Sequence, residues 1–315
     1  MSVTAKGTWI RVSPTSAAVA DVAEQTLRLR LTAVSDRLPQ AALESAKTDE
    51  HVHQLRVSCR RAAAALDAFR PVLGRGKKKM RRWLKWVRRA AGPARDIDVL
   101  VDRLRRRQPA GDATIGQLID LLSRERQEAQ VALVEAHEAA RKCRLTNTIE
   151  RCLQGIQRKD SGASQQAFAT FAAKSLRRAA APLMADFDVR NAPVAELHKL
   201  RIQGKRLRYS IELCQSALPK DARQAAYDQV EEIQDRLGRI NDHASAQLRF
   251  QQMLADLPAG PLAALLAEMI VEEHEASVAA HGEFVDWWSP QRRDVLKPLT
   301  DPTAAPQSPG QAAAS

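Results

Sequence analysis

The sequence predicts an all-α fold assembled from two related helical units of about 145 residues. Three observations carry this. Alanine and leucine dominate an apolar fraction of 44%, with few β-branched runs, and that balance favours helices over strands. Apolar residues also recur at helical spacing through most of the chain. Finally, His53-Gln54-Leu55-Arg56-Val57-Ser58-Cys59-Arg60-Arg61 returns as His198-Lys199-Leu200-Arg201-Ile202-Gln203-Gly204-Lys205-Arg206. A small turn follows each copy at a similar offset: Ala91-Gly92-Pro93-Ala94-Arg95-Asp96, then Leu237-Gly238-Arg239-Ile240-Asn241-Asp242. A period of this kind outranks any single motif.

Taken in order, residues 1–15 read as an irregular leader and 16–158 as the first helical half. Its first helix runs from 16 to 38 and stops before Pro39. The first histidine helix spans about 50–70 behind Asp49, and Pro71 with Gly74-Arg75-Gly76 ends it. A basic helix follows, with Met80, Trp83, Leu84, Val87 and Ala91 on one side and Lys78, Arg81, Arg82, Lys85 and Arg89 on the other. Gly92-Pro93 breaks it, a helix then reaches Arg107, and a long one runs from 113 to 143. Residues 159–164 form the linker. The second half, 165–288, repeats the order with helices at 165–187, 194–217, 221–239, 242–256 and 261–286. Residues 289–315, rich in Pro, Ala, Gln and Ser, read as a disordered tail.

Charge is concentrated. Between His53 and Arg107, 18 lysines and arginines stand against 4 aspartates, within a chain whose net charge is +12. Such a region calls for a polyanionic partner. Aromatics make up only 4%, fewer than a base-stacking surface needs. Cys59, Cys143, Cys152 and Cys214 lie at unrelated spacings and read as small core residues in a reducing cytosol. No apolar run is long enough to span a bilayer, and residues 1–16 lack the apolar core of a secretory signal. A cytoplasmic protein without a membrane partner is therefore expected.

On a helix, His53, Arg56 and Arg60 share one stripe and Leu55, Cys59, Ala62 and Leu66 the opposite one. His198, Arg201, Lys205 and Arg208 face one way in the second copy, Leu200, Gly204, Leu207 and Ile211 the other. A solvated face is the ordinary explanation for cations on a helix. Here cations three and four apart repel one another with few acids to relieve them, and arginine, which grips phosphate with two parallel N–H groups, predominates. Anion binding follows. Each histidine either binds the anion, as a neutral donor or a cation, or packs at the start of its helix; the sequence leaves both open. Asp96, Asp98 and Asp242 fit as helix caps or as partners of the basic helices. His137-Glu138-Ala139-Ala140-Arg141 lacks the second histidine of a zincin, and His274 and His281 lack a third ligand. No cofactor, metal site or catalytic group is expected.

The H-x-L-R-V-x-x-R-R and H-x-L-R-I-x-x-K-R-x-R-Y helices, with the G-x-x-R-D-x-D and L-G-x-x-N-D turns, resemble the CHAD family, the conserved histidine α-helical domain, over about residues 16–288. The resemblance implies two four-helix-like bundles related by pseudo-twofold symmetry, with the histidine helices meeting at a central basic cavity. It also implies binding of inorganic polyphosphate and association with polyphosphate granules. By position the ligands would be His53, Arg56, Arg60, Arg61, His198, Arg201, Lys205, Arg206 and Arg208. Lys78, Arg81, Arg82, Lys85 and Arg89 would extend the surface on the strength of the helix reading. The E-x-E-x-K signature of the triphosphate-tunnel domain that many members carry is missing, so a non-enzymatic binding module is expected. Competing readings are a nucleic-acid protein using the basic region at 75–107, and a metal-dependent polyphosphate hydrolase.

Overall fold

The computed structural model describes residues 1–45, 48–107, 112–156 and 162–300, and it is 81% helical, with almost no sheet. The sheet is one hairpin, β1 (Ser2–Lys6) and β2 (Trp9–Ser13), paired antiparallel. It replaces the expected irregular leader. Ile10 and Val12 alternate inward and are buried, while Gly7, at φ +61°, accommodates the tight loop.

Helix α1 (Val19–Leu43) continues through Pro39 instead of stopping before it. Proline removes one backbone donor. Beyond it Ala41 and Ala42 are buried, and the Gln130 amide donates to both of their carbonyls at 2.8 Å. The first histidine helix, α2 (Glu50–Ala68), is followed by α3 (Lys77–Ala90), α4 (Gly92–Arg107) and α5 (Ala113–Lys142). The side chain of Asp112 caps α5 by accepting from the Thr114 and Ile115 amides. Then come α6 (Leu145–Gln154), α7 (Gly162–Gln165), α8 (Phe168–Met184) and the second histidine helix, α9 (Val194–Cys214).

Residues 220–255 form one helix, α10 (Lys220–Ala255), where two were expected. Gly238 does not break it, because glycine ends a helix only where the chain also turns away. After α11 (Pro261–Trp287), the presumed tail continues into α12 (Pro290–Asp294), and Leu296 and Leu299 are buried. The apolar positions before Pro302 thus have a place in the core; residues 301–315 lie outside the described residues. So do 157–161, which hold the first half of the expected linker; its second half, 162–164, opens α7.

Two hydrophobic cores hold the helices. The larger joins α1, α2, α3, α6, α8 and α9 with the hairpin, the end of α5, the first half of α10 and the end of α11. The smaller contains Leu100 and Leu104 of α4, Leu118 and Leu122 of α5, Phe250 of α10 and Leu266 and Met269 of α11. Each core draws on both sequence halves, so the halves are not separate packing units. Helix α2 packs directly against α9, which brings the histidine helices together.

Candidate functional site

The registers of α2 and α9 follow from their apolar stripes. Val52, Leu55, Cys59, Ala62 and Leu66 are buried in α2, and Leu197, Leu200, Gly204, Leu207 and Ile211 in α9. The opposite edges bring Arg60 of α2 near Arg201 and Lys205 of α9, with Arg56 one turn before Arg60 and Arg208 one turn after Lys205, all half-buried.

At corresponding positions the two halves solve the same problem. The Arg56 guanidinium donates to the Ala91 carbonyl at 3.2 Å and lies 3.6 Å from Asp96. That carbonyl lies at the junction where α3 ends and Gly92-Pro93 opens α4. Arg201 lies 3.7 Å from Asp242, and its Nε is buried without a hydrogen-bond partner. Arg208 lies 3.7 Å from Glu231, also with an unpartnered Nε. All three ion pairs exceed hydrogen-bond length. The carboxylates are solvated, Asp96 being 74% exposed, so they neutralise the cations only weakly.

Burial lowers the pKa of Arg56 and of Arg201, opposed by Asp96 and Asp242 respectively, and the field of Arg60 lowers each further. Lys205 shows the consequence most clearly. Burial, then the charges of Arg201 and Arg60, bring its pKa down to about 7 against the upward pull of Asp242.

The histidines differ. Burial and the adjacent Arg95 lower the pKa of His53, which favours the neutral ring. His198 is exposed, and its Nδ1 lies 2.5 Å from the Asn241 side-chain oxygen, an arrangement in which Nδ1–H donates and Nε2 remains available.

Other predicted ligands fall elsewhere. Arg61 makes a two-pronged pair with Glu212 at 2.7 and 2.9 Å, and Glu212 is fully buried. Burial pulls the Arg61 pKa down, and the hydrogen bonds and charge of Glu212 more than reverse it. Tyr227 also donates to Glu212, at 3.3 Å. Arg61 is thus a structural tie between α2 and α9. Arg206 points to solvent, away from the cluster stripe. On α3, Lys78, Arg81, Arg82, Lys85 and Arg89 are exposed, and Arg81 pairs with Asp67. Met80, Leu84 and Val87 bury the other side of α3.

Sequence reasoning missed Arg103, which donates to Glu273 at 2.5 and 2.7 Å with His243 also 2.6 Å from that carboxylate. Its parts lie on α4, α10 and α11, and no local signal links them. Asp98 does hold a basic residue, Arg126, at 2.6 Å. His281 bonds the Val189 carbonyl at 2.7 Å. Among the described residues no three His, Cys, Asp or Glu side chains gather as a metal site, and no described helix is long and apolar enough to cross a membrane.

The paired histidine helices thus converge on one half-buried cation cluster within an all-α fold. The CHAD domain family model matches residues 19–251, most of the chain, and the protein belongs to that family. Among solved structures it is similar to the CHAD domain from the plant Ricinus communis, with 21% identity, a TM-score of 0.63, and coverage of 93% of this chain and 95% of that one. It is also similar to PptA from Streptomyces chartreusis, with 20% identity, a TM-score of 0.61, and coverage of 86% and 99%. At these identities the likeness is one of fold. A comparison with curated proteins returns no match.

Proposed function

We propose that this protein binds inorganic polyphosphate at the cluster formed by Arg56, Arg60, Arg201, Lys205 and Arg208, as a non-enzymatic module that associates with polyphosphate granules in the cytoplasm. The supporting observation is electrostatic. Five basic groups from two helices converge where the ion-paired carboxylates stand 3.6–3.7 Å away. Phosphate oxygens can replace these solvated partners with shorter, charge-assisted hydrogen bonds. A chain of phosphates satisfies several arginines at once and needs no aromatic platform. Tyr209, the aromatic beside the cluster, is buried under Arg61 and Arg208 at 5.9 and 5.6 Å, leaving no face there for a base.

The cations of α3 extend the surface. Among them Trp86, 41% exposed, favours the second reading, nucleic-acid binding through base stacking.

Calorimetry with polyphosphate and with single-stranded DNA, at two salt concentrations, separates these readings. Polyphosphate is expected to bind more tightly than DNA and more weakly at high salt. The Arg56→Ala/Arg201→Ala variant is expected to lose roughly a hundredfold in affinity or more, at about 1.5–3 kcal/mol for each hydrogen-bonded charge. Equal binding of the two polymers, or an unaffected variant, would overturn the proposal; metal-dependent phosphate release would favour the hydrolase.

A further inference from the structure

We propose that Lys205 is a site of covalent acylation by acyl phosphates, whose phosphate seats on Arg60, Arg201 and Arg208 and presents the acyl carbon to the Lys205 amine. The inference rests on the phosphate-binding reading of the same cluster and adds chemistry to it.

The geometry comes first. Lys205 sits on α9 between Arg201, one turn before it, and Arg208, one turn after it, with Arg60 reaching it from α2. It is half-buried and no carboxylate lies within salt-bridge distance of its amine among the described residues. Asp242 of α10 raises its pKa, and that carboxylate is already the partner of Arg201. Asp96 of α4 serves Arg56 in the same way.

Three permanent cations therefore surround an amine that can give up its own charge. An ordinary lysine stays protonated at neutral pH and is a poor nucleophile, whereas one desolvated beside other cations exposes its lone pair. The neighbouring guanidiniums are also the groups best suited to hold a phosphate. Nucleophile and anion seat thus occupy one site, which brings the reacting atoms together without a catalytic base.

The balance is simple. The Nζ lone pair attacks the acyl carbon, the bond from that carbon to the phosphate oxygen breaks, and phosphate departs with the electron pair. The nitrogen proton passes to the released phosphate, leaving a neutral acyl-lysine. That product cannot regain a charge, so acylation subtracts one cation from the cluster and weakens its hold on a polyanion.

The test compares two acyl donors on the full chain at pH 7.5: acetyl phosphate, and the uncharged N-hydroxysuccinimidyl acetate. Site occupancy is followed by peptide mass spectrometry. With acetyl phosphate, Lys205 is expected to react at least ~10-fold faster than the exposed Lys78 and Lys85. The preference is expected to shrink with the uncharged ester. Equal rates at Lys205 and the exposed lysines would overturn the proposal, and so would a preference identical for both reagents, which would mark a merely reactive amine. Selective acylation in a protein that fails to bind polyphosphate would support this inference while removing the function proposed above.

Discussion

The helices that follow the two histidine helices, α3 and the opening half of α10, share a buried edge beneath opposite polar faces. Met80, Leu84, Val87 and Ala91 precede Ala226, Val230, Ile233 and Leu237 by 146 residues each, and all eight are buried. On the outer side Arg82, Lys85 and Arg89 correspond to Asp228, Glu231 and Asp235. The histidine helices differ in a similar way, since Arg61 is locked to buried Glu212 while its counterpart, Arg206, is solvated. The buried register is what packing demands. Surface charge is free to diverge, so the cations of α3 are not there to hold the fold.

The sharpest test of this contrast is the Arg61/Arg206 pair. Arg61→Ala leaves Glu212 buried and unpaired and is expected to cost about 3–5 kcal/mol, whereas Arg206→Ala is expected to stay within about 0.5 kcal/mol. Chemical denaturation measures both, and similar costs would erase the distinction between them.

Next in size is the transfer of one polar face to the other helix. Arg82→Asp/Lys85→Glu/Arg89→Asp gives α3 the charges found at the matching positions of α10. Thermal unfolding is expected to change little, while polyphosphate affinity falls ~10-fold or more and the salt dependence flattens by up to one unit for each phosphate contact removed. Loss of folding would show that α3 needs its cations.

A smaller effect belongs to pH. The Lys205 pKa of about 7 lies below its ordinary 10.5, so between those values the unfolded chain holds more protons and stability rises with pH. A polyanion bound at the cluster would restore the charge. Affinity is therefore expected to rise as pH falls from about 10 to 7, then level off, with proton uptake visible in calorimetry across buffers of different ionisation enthalpy. Lys205→Met should flatten the profile.

Smallest is the comparison of the two glycines. A β-carbon at Gly92 would lie 3.2 Å from the Arg56 guanidinium, while at Gly238 it would meet Arg201 no closer than 3.9 Å. Gly238→Ala is expected to stabilise α10 by up to about 1 kcal/mol without weakening binding. Gly92→Ala is expected to weaken binding by about two- to threefold through displacement of Arg56.

Much of this molecule was legible in the chain. The apolar stripe of period 3.6 fixed which edges of α2 and α9 turn outward, and so placed Arg56, Arg60, Arg201 and Lys205 correctly in register. Arg61 was misread because its partner, Glu212, is 151 residues away and nothing near Arg61 announces it. Gly238 and Pro39 were read as helix ends because local rules cannot weigh the Gln130 clamp, or the buried residues on both sides of Gly238. The hairpin falls in the stretch that reads as an irregular leader, although Ile10 and Val12 alternate with polar neighbours as a half-buried strand does.

The shared cores also set a schedule for biosynthesis. When residue 156 leaves the ribosome, the inner faces of α4 and α5 have no cover, since Phe250, Leu266 and Met269 have yet to be made. At ~5–20 residues per second, the intervening stretch takes on the order of ten seconds. For that interval the α4–α5 pair, whose Leu100, Leu104, Leu118 and Leu122 pack within one core, lacks the side of that core that α10 and α11 supply.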